Sequence, residues 1–567
     1  MKLVIGICAV GIVFLCAFIG MWTIEASYTG EFANNVFSSA ALQNKTVMVF
    51  VPHEDDELNV AGVTIKNLRD NNIRTICVFA TNGDYYPVEA RISEARESLY
   101  ILGVPDDDIY FLGYADGPAS QKYYDKYTAP DDEILSSPKT GKNATYCVLG
   151  KLDFSTQFRA TPSAYTRNSF KRDVQDIILR FKPDIIFAND FDKHLNHREN
   201  TLLFEEVMGD ILRRPGNNYH PEVFKGFAYS TAYTAVADFY APNILSTQKP
   251  EKNELNNPIY DTDMPQYEWD KRVRLPSNRT CLTRLLEGNT LFAALKTHKS
   301  QDTLKRSLRI INGDEVFWQR NTNSLTYQGT IVVSSGNGNK LNDFKLVDVK
   351  DLRPRHVEFT NYLWVPSLSD TQKMATVIWQ KQQTIDKVIF YGNIEDDSRI
   401  EGGVVELSNG FQVQVPELNS AGRATVINIP PQKNINWLKF TIKKWRGERP
   451  GLAELEIYGG QSQPELFNLV KITINGDFAY DYWVKEGTKQ VDLGIYKFGN
   501  VGDCKLRIVK GEGSLKGNTL FLNSNYVIVK AEADNNVFDQ IIISRKSLVA
   551  FGKLKLRQSF EGKTLKL

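Results

Sequence analysis

The strongest constraint on this chain is a change of texture near residue 329. Before it, short apolar runs alternate with segments of helical spacing. Residues 46–51 (TVMVFV) precede Leu58, Ala61, Ile65 and Leu68, and residues 73–80 (IRTICVFA) precede a helical pattern over 88–102. Residues 109–112 form a third apolar run, 170–180 read as a helix, 184–188 as a strand and 194–208 as a helix. Strands alternating with helices predict an α/β domain, a Rossmann-like, mostly parallel sheet covered by helices. In such sheets ligands bind beyond the C-terminal strand ends. After residue 329 the helical spacing gives way to strand-like runs (TIVVSSG, FKLVDV, TVIWQ, DKVIFYG, ATVINI, NWLKFTI) punctuated by Gly, Asn, Asp and Pro. This predicts two β-sandwich domains.

The expected organisation is a transmembrane anchor or signal peptide over 1–24, a tether over 25–45 and a catalytic domain over 46–328. A β-sandwich over 329–460 and an immunoglobulin-like β domain over 465–567 follow. Leu3 to Trp22 carry no charge, and Lys2 precedes them. Twenty apolar residues span roughly 30 Å as a helix, enough to cross a bilayer. The expectation is a membrane partner through this segment, with the later domains outside the cell. Secretion after signal cleavage is the alternative. Lys plus Arg number 68 and Asp plus Glu 67, which gives no support to a nucleic-acid partner held by a basic field. Nothing in the sequence specifies an oligomeric state. Cys147 and Cys281 are candidates for pairing in an exported chain, and no CxxC is present.

The chain has only six histidines, so a metal site must use few of them. His53-Glu54-Asp55-Asp56-Glu57 stands between an apolar strand and a helix. Four adjacent carboxylates repel one another unless a cation or a helix N-terminus offsets them. An acidic N-cap cluster is the plain alternative. A second constellation runs Asp190 to His197 and also follows a strand; His194 and His197 are three apart at a helix start. His53, Asp56 and His197 offer two nitrogens and one oxygen with an open position for water, the composition of a catalytic zinc site. Asp55 is then free to face the water.

These residues resemble the PIG-L/LmbE-like family of zinc-dependent N-deacetylases over roughly 46–305. That family's first motif resembles His-Pro-Asp-Asp-Glu; here Glu54 replaces the proline. Its second resembles His-Pro-Asp-His; here Leu195 and Asn196 replace proline and aspartate. TNGD (81–84), Arg91 with Glu94, LGV (102–104), FLGYADG (111–117) and HKSQ (298–301) also match. The resemblance implies His53, Asp56 and His197 as ligands of Zn2+ or another divalent ion. It implies Asp55 as general base and His194 as the group stabilising the tetrahedral intermediate. The implied activity is removal of acetyl from an N-acetylated sugar, an N-acetylglucosamine-type residue in a cell-surface or extracellular glycan.

Asp84, Arg91 and Asp116 are candidates for sugar contacts, although Arg91 and Glu94 also have the spacing of a structural ion pair. Asn196 and His298 are candidate supports for the ligands. Residues 375–460 resemble a galactose-binding-like sandwich of the discoidin type. There Trp445, beside Lys443, Lys444 and Arg446, is the candidate for stacking on a glycan. Two other functions remain open. One is hydrolysis of a different N-acyl amide, such as a lipid or an antibiotic glycoside. The other is a catalytically silent surface protein that binds glycans.

Overall fold

The computed structural model describes residues 41–117, 126–192, 194–228, 273–275, 278–281, 288–301, 303, 310, 315–350, 352, 359–460, 479–483, 489–492, 505–517, 519–524, 526–532, 538–544, 560–561 and 564–565. The first sheet contains β1 (Thr46–Val51), β2 (Arg74–Thr81), β3 (Ile109–Tyr114), β4 (Ile185–Asn189), β5 (Glu222–Gly226), β6 (Val273–Leu275) and β7 (Glu315–Arg320). Their order is β3-β2-β1-β4-β5-β7-β6. The pairs among β1 to β5 are parallel, and β7 joins both β5 and β6 antiparallel. The helices are α1 (Asp56–Asp70), α2 (Val88–Leu102), α3 (Phe154–Arg159), α4 (Arg167–Phe181), α5 (Leu195–Leu212) and α6 (Thr290–Leu295).

Successive β1 side chains point to opposite faces. Met48 and Phe50 join one buried core, and Val47, Val49 and Val51 join the other. Burial on both faces explains why β1 is apolar at every position rather than alternating. The expected α/β class is therefore the observed one. The sequence reading missed β5 to β7 and α3, which are short or carry polar residues.

The second sheet contains β8 (Thr330–Val333), β9 (Met374–Gly392), β10 (Arg399–Leu407), β11 (Gln412–Val415), β12 (Ala424–Arg446) and β13 (Leu452–Tyr458). Its order is β11-β10-β12-β9-β13, with β8 on β9, and every pair is antiparallel. TVIWQ and DKVIFYG fall on one strand, and ATVINI and NWLKFTI on another. The β9–β12 register shifts between Asn428 and Trp437, so each long strand continues through an irregular stretch. A third, all-β region has a four-stranded sheet, β14 (Ala479–Trp483), β20 (Phe538–Ser544), β19 (Tyr526–Glu532) and β16 (Lys505–Lys510), in that order. Beside it, β15 (Gln490–Asp492), β18 (Thr519–Leu522) and β17 (Gly513–Lys516) form a three-stranded sheet.

The first two regions share one core. Leu202, Val207 and Met208 of α5 cluster with Phe344, Leu346, Val349 and Leu352, and with Ala453 of β13. Cys77, Cys147 and Cys281 are free thiols, so the expected candidate pair does not form.

The membrane expectation is corrected. Among the described residues no helix is long and apolar enough to cross a membrane. The apolar run over 3–22 lies outside the described residues. The anchor, the membrane partner and the cell-membrane location drawn from it are withdrawn.

Candidate metal centre

The strand order places two chain segments together. From β1 the chain proceeds to β2 on one side, while β4 lies on the other. The loops after β1 and β4 therefore open at the point where the strand order reverses, the usual ligand crevice of such sheets. His53 to Asp56 follow β1, and Asp190 to His197 follow β4.

Three atoms from these two segments, His53 in the loop after β1, Asp56 in the first turn of α1 and His197 in the first turn of α5, converge. His53 Nδ1 is 3.0 Å from Asp56 Oδ2, His197 Nε2 is 3.1 Å from the same oxygen, and the two nitrogens are 3.2 Å apart. A tetrahedral ion with ligands at about 2.0–2.1 Å sets neighbouring ligand atoms about 3.3–3.4 Å apart. The triangle is thus close to a cation's coordination face. All three side chains are buried, and Asp56 Oδ1 has no hydrogen-bond partner among the described residues. Ligand atoms of His53, His194 and His197 also lie within 4.8 Å of one another, so a divalent ion could be held with His194 as a participant.

The electrostatics ask for positive charge. Burial works against protonation of His53, but Asp116 and Asp56 outweigh it and raise its pKa to about 9. Burial likewise opposes charge on His197, yet Asp192 and Asp56 raise its pKa to about 10. Against the burial penalty, the two imidazoles hold Asp56 well below the usual carboxylate range. His194 differs. Burial and the neighbouring His197 and His53 hold its pKa well below the ordinary value. Its ring meets His53 edge-on, with centroids 4.9 Å apart.

Supporting groups fix the ligands. His197 Nδ1 is 2.8 Å from Asp192 Oδ2, so with Nε2 turned to an ion the Nδ1–H donates to that carboxylate. Asp192 Oδ1 accepts from the His194 backbone N–H at 2.8 Å. His53 Nε2 lies 3.4 Å from Asp116 Oδ1, which also accepts from Asn196 Nδ2 at 2.9 Å. Asp55 is buried at the start of α1, where burial and then Asp56 raise its pKa.

The remaining expected residues divide. Asp84 Oδ1 accepts from the Asp116 backbone N–H at 2.8 Å, which ties the β2 loop to the β3 loop. Arg91 does not pair with Glu94. Its Nε donates to Glu54 Oε2 at 3.2 Å, and its Nη2 is 3.8 Å from Asp116 Oδ2. Glu94 instead accepts from the Ser300 backbone N–H at 2.9 Å. Burial raises Glu54 to about 7 against the pull of Arg91. Gly83 makes room for this pair: at its φ of +66° a Cβ would stand 2.5 Å from Glu54 Oε2. His298 Nε2 meets Glu57 Oε1 at 2.9 Å and holds the base of α1. Trp445 belongs to β12 in the second sheet, with the Lys373 ammonium 4.5 Å from its ring centroid. Sequence reasoning missed Asp192 as the partner of His197. The signal was an aspartate five residues before that histidine, immediately after a buried strand.

Residues 48–208 match the family described as PIG-L, GlcNAc-PI de-N-acetylase, and residues 327–458 match a domain of unknown function, DUF7402. No curated protein matches the chain. Among solved structures, one similar chain is N,N'-diacetylchitobiose deacetylase from Pyrococcus horikoshii. It is 19% identical, with 51% of this chain and 91% of that one covered and a TM-score of 0.28. The family 32 carbohydrate-binding module of C. perfringens NanJ, solved with galactose, is 15% identical over 24% of this chain and 96% of its own, with a TM-score of 0.19. Chitosan-binding module 2 from Paenibacillus sp. IK-5 is 14% identical over 23% of this chain and 97% of its own, with a TM-score of 0.18. The chain thus carries a PIG-L-like region with a histidine cluster able to hold a divalent metal.

Proposed function

We propose that the chain is a zinc-dependent hydrolase of an N-acyl amide, with a conjugate of N-acetylglucosamine as its substrate class. The observation that carries this reading is the triangle of His53 Nδ1, Asp56 Oδ2 and His197 Nε2 with the Asp55 carboxyl beside it. The PIG-L match over 48–208, whose description names a de-N-acetylase, supports the amide target. The match does not single out a surface polysaccharide, so the wider N-acyl reading is better supported than a surface-glycan restriction.

His53, Asp56 and His197 would hold the ion. When bound, a divalent cation supplies Lewis acidity, which makes a water acidic near neutral pH and polarises an amide carbonyl. Asp55 takes the proton of the attacking water. Its burial raises its affinity for that proton, as a general base requires. His194 donates its imidazole N–H to the oxyanion of the tetrahedral intermediate. The proton gathered by Asp55 passes to the amide nitrogen, which leaves as an amine with acetate as the second product. Asp192 and Asp116 hold the imidazoles of His197 and His53 in the orientation this chemistry needs.

Acetate release from N-acetylglucosamine oligomers and from an N-acetylglucosaminyl lipid, with and without chelator, tests the reading. Chelator-sensitive release from either substrate, restored by zinc, is expected. Binding of both without acetate release would overturn it.

A further inference from the structure

The second β region reaches the metal centre through one buried guanidinium. Arg198 follows His197 on α5 and is 1% exposed. Its Nε donates to the backbone carbonyl of Asp192 at 2.6 Å, and its Nη1 donates to the backbone carbonyl of Leu352 at 3.2 Å. Asp192 is the residue whose carboxylate meets His197 Nδ1 at 2.8 Å. Leu352 belongs to the stretch 327–458 that matches a separate domain family.

The stretch around Leu352 is seated firmly on α5. Arg198, Leu202, Glu206 and Gly209 follow one another at spacings of four, four and three, which places them on one helix face. Lys345 Nζ meets Glu206 Oε1 at 3.1 Å, and Phe344 and Leu352 pack in the core with Leu202. At Gly209 a Cβ would stand 2.2 Å from the Asp343 carbonyl oxygen, so this face accepts the Asp343 backbone only because the residue is glycine.

We infer that Arg198 is a positioning residue for the metal site, and that residues 343–350 and Leu352 of the second region are a working part of that site. The planar guanidinium presents donors in a fixed fork, so one side chain sets the distance between the Asp192 and Leu352 carbonyls. Holding the Asp192 backbone holds its carboxylate against His197, and hence the direction of His197 Nε2. A carboxylate that orients a ligating histidine typically changes metal affinity by about 10–100-fold when removed. The second region is on this view not a detachable appendage.

The inference rests on the metal site proposed above, and the two fail differently. Full-length protein is loaded with Zn2+ and with Co2+, and its affinity is measured by competition with a chelating dye. A wild-type chain that binds neither ion contradicts the metal site itself. With the wild type binding, Arg198→Lys is expected to weaken the zinc Kd roughly ten- to a hundredfold, while the metal-free circular dichroism is unchanged. The Co2+ absorption bands, which report ligand geometry, are expected to shift with it. Asp192→Asn is expected to weaken binding similarly, and the double variant no further, because both act through one carboxylate. Leu352→Ala loosens the packing at the far end of the same strut while leaving Arg198 in place, and keeps the test decisive if Arg198→Lys fails to fold; it too is expected to weaken zinc. Unchanged zinc affinity in the folded Arg198→Lys or Leu352→Ala chain, or additive effects in the double variant, would overturn the inference.

Discussion

Two charge clusters flank α5, and they differ in what balances their carboxylates. At the N-terminal end, Glu54, Asp55, Asp56, Asp116 and Asp192 surround two histidines. Arg91 is a permanent cation paired with Glu54 and Asp116 of this group. Farther along the helix, Glu206 meets Arg167, Lys171 and Lys345, while Asp348 meets Lys345 and Lys340. The second cluster brings its own cations. In the first, carboxylates face imidazoles, and His53 and His197 are driven towards the charged state. A cluster paired with lysines and arginines holds two chain regions together; carboxylates converging with imidazoles on one point suit an ion from outside.

The largest expected effect separates chemistry from metal binding within the first cluster. Asp55→Asn should keep its metal and lose about 10²–10⁴-fold in acetate release. Single-turnover assays on metal-loaded protein read this directly, and near-wild-type turnover would remove Asp55 from the base role. In the second cluster, Lys345→Met leaves the half-buried Glu206 and Asp348 with fewer partners and removes the ammonium from the Tyr127 hydroxyl. The expected loss is about 2–4 kcal/mol in urea unfolding, between the surface-pair and fully buried ranges. A loss below about 0.5 kcal/mol, the surface-pair range, would deny that this cluster joins the two regions.

A smaller effect should appear with acid. Burial would raise the Glu206 pKa, but Lys345, Arg167 and Lys171 outweigh it and lower it from 4.5 to about 2. A depressed carboxylate pKa contributes stability that is complete above about pH 4.5 and is lost as pH falls towards 2. At about 1.4 kcal/mol per pKa unit this amounts to roughly 3 kcal/mol at most. Comparing the urea midpoints of wild type and Glu206→Gln between pH 5.5 and pH 3 checks it, and the wild type should lose more. Parallel slopes would contradict the assignment.

The comparison also explains what was legible in the sequence. β1, β2 and β4 announce themselves because burial on both faces demands apolar residues at every position, and the loops that follow them carry the unusual residues. The places of His53, Asp56 and His197 after these strands were therefore readable, and the structure brings their atoms together. Asp192 was not: a carboxylate that orients a histidine has no spacing rule of its own, and only the turn between β4 and α5 brings it to Nδ1. Glu54 reads as one more acid in a run, yet it is the buried partner of Arg91 from another helix. Lys345 and Glu206 lie far apart in the chain, so no local pattern marks them as a pair. In the second sheet, period-two runs were visible, but their fusion into β9 and β12 depends on a register shift that side-chain alternation does not encode.

The most direct measurement is the metal content of the full-length chain and of Asp56→Asn, read by elemental analysis after equilibration with zinc and removal of loose ion. The triangle of His53, Asp56 and His197 predicts one tightly held divalent ion per wild-type chain. It predicts loss of that ion when the shared oxygen ligand is neutralised. Equal occupancy in both chains, or none in the wild type, would contradict it.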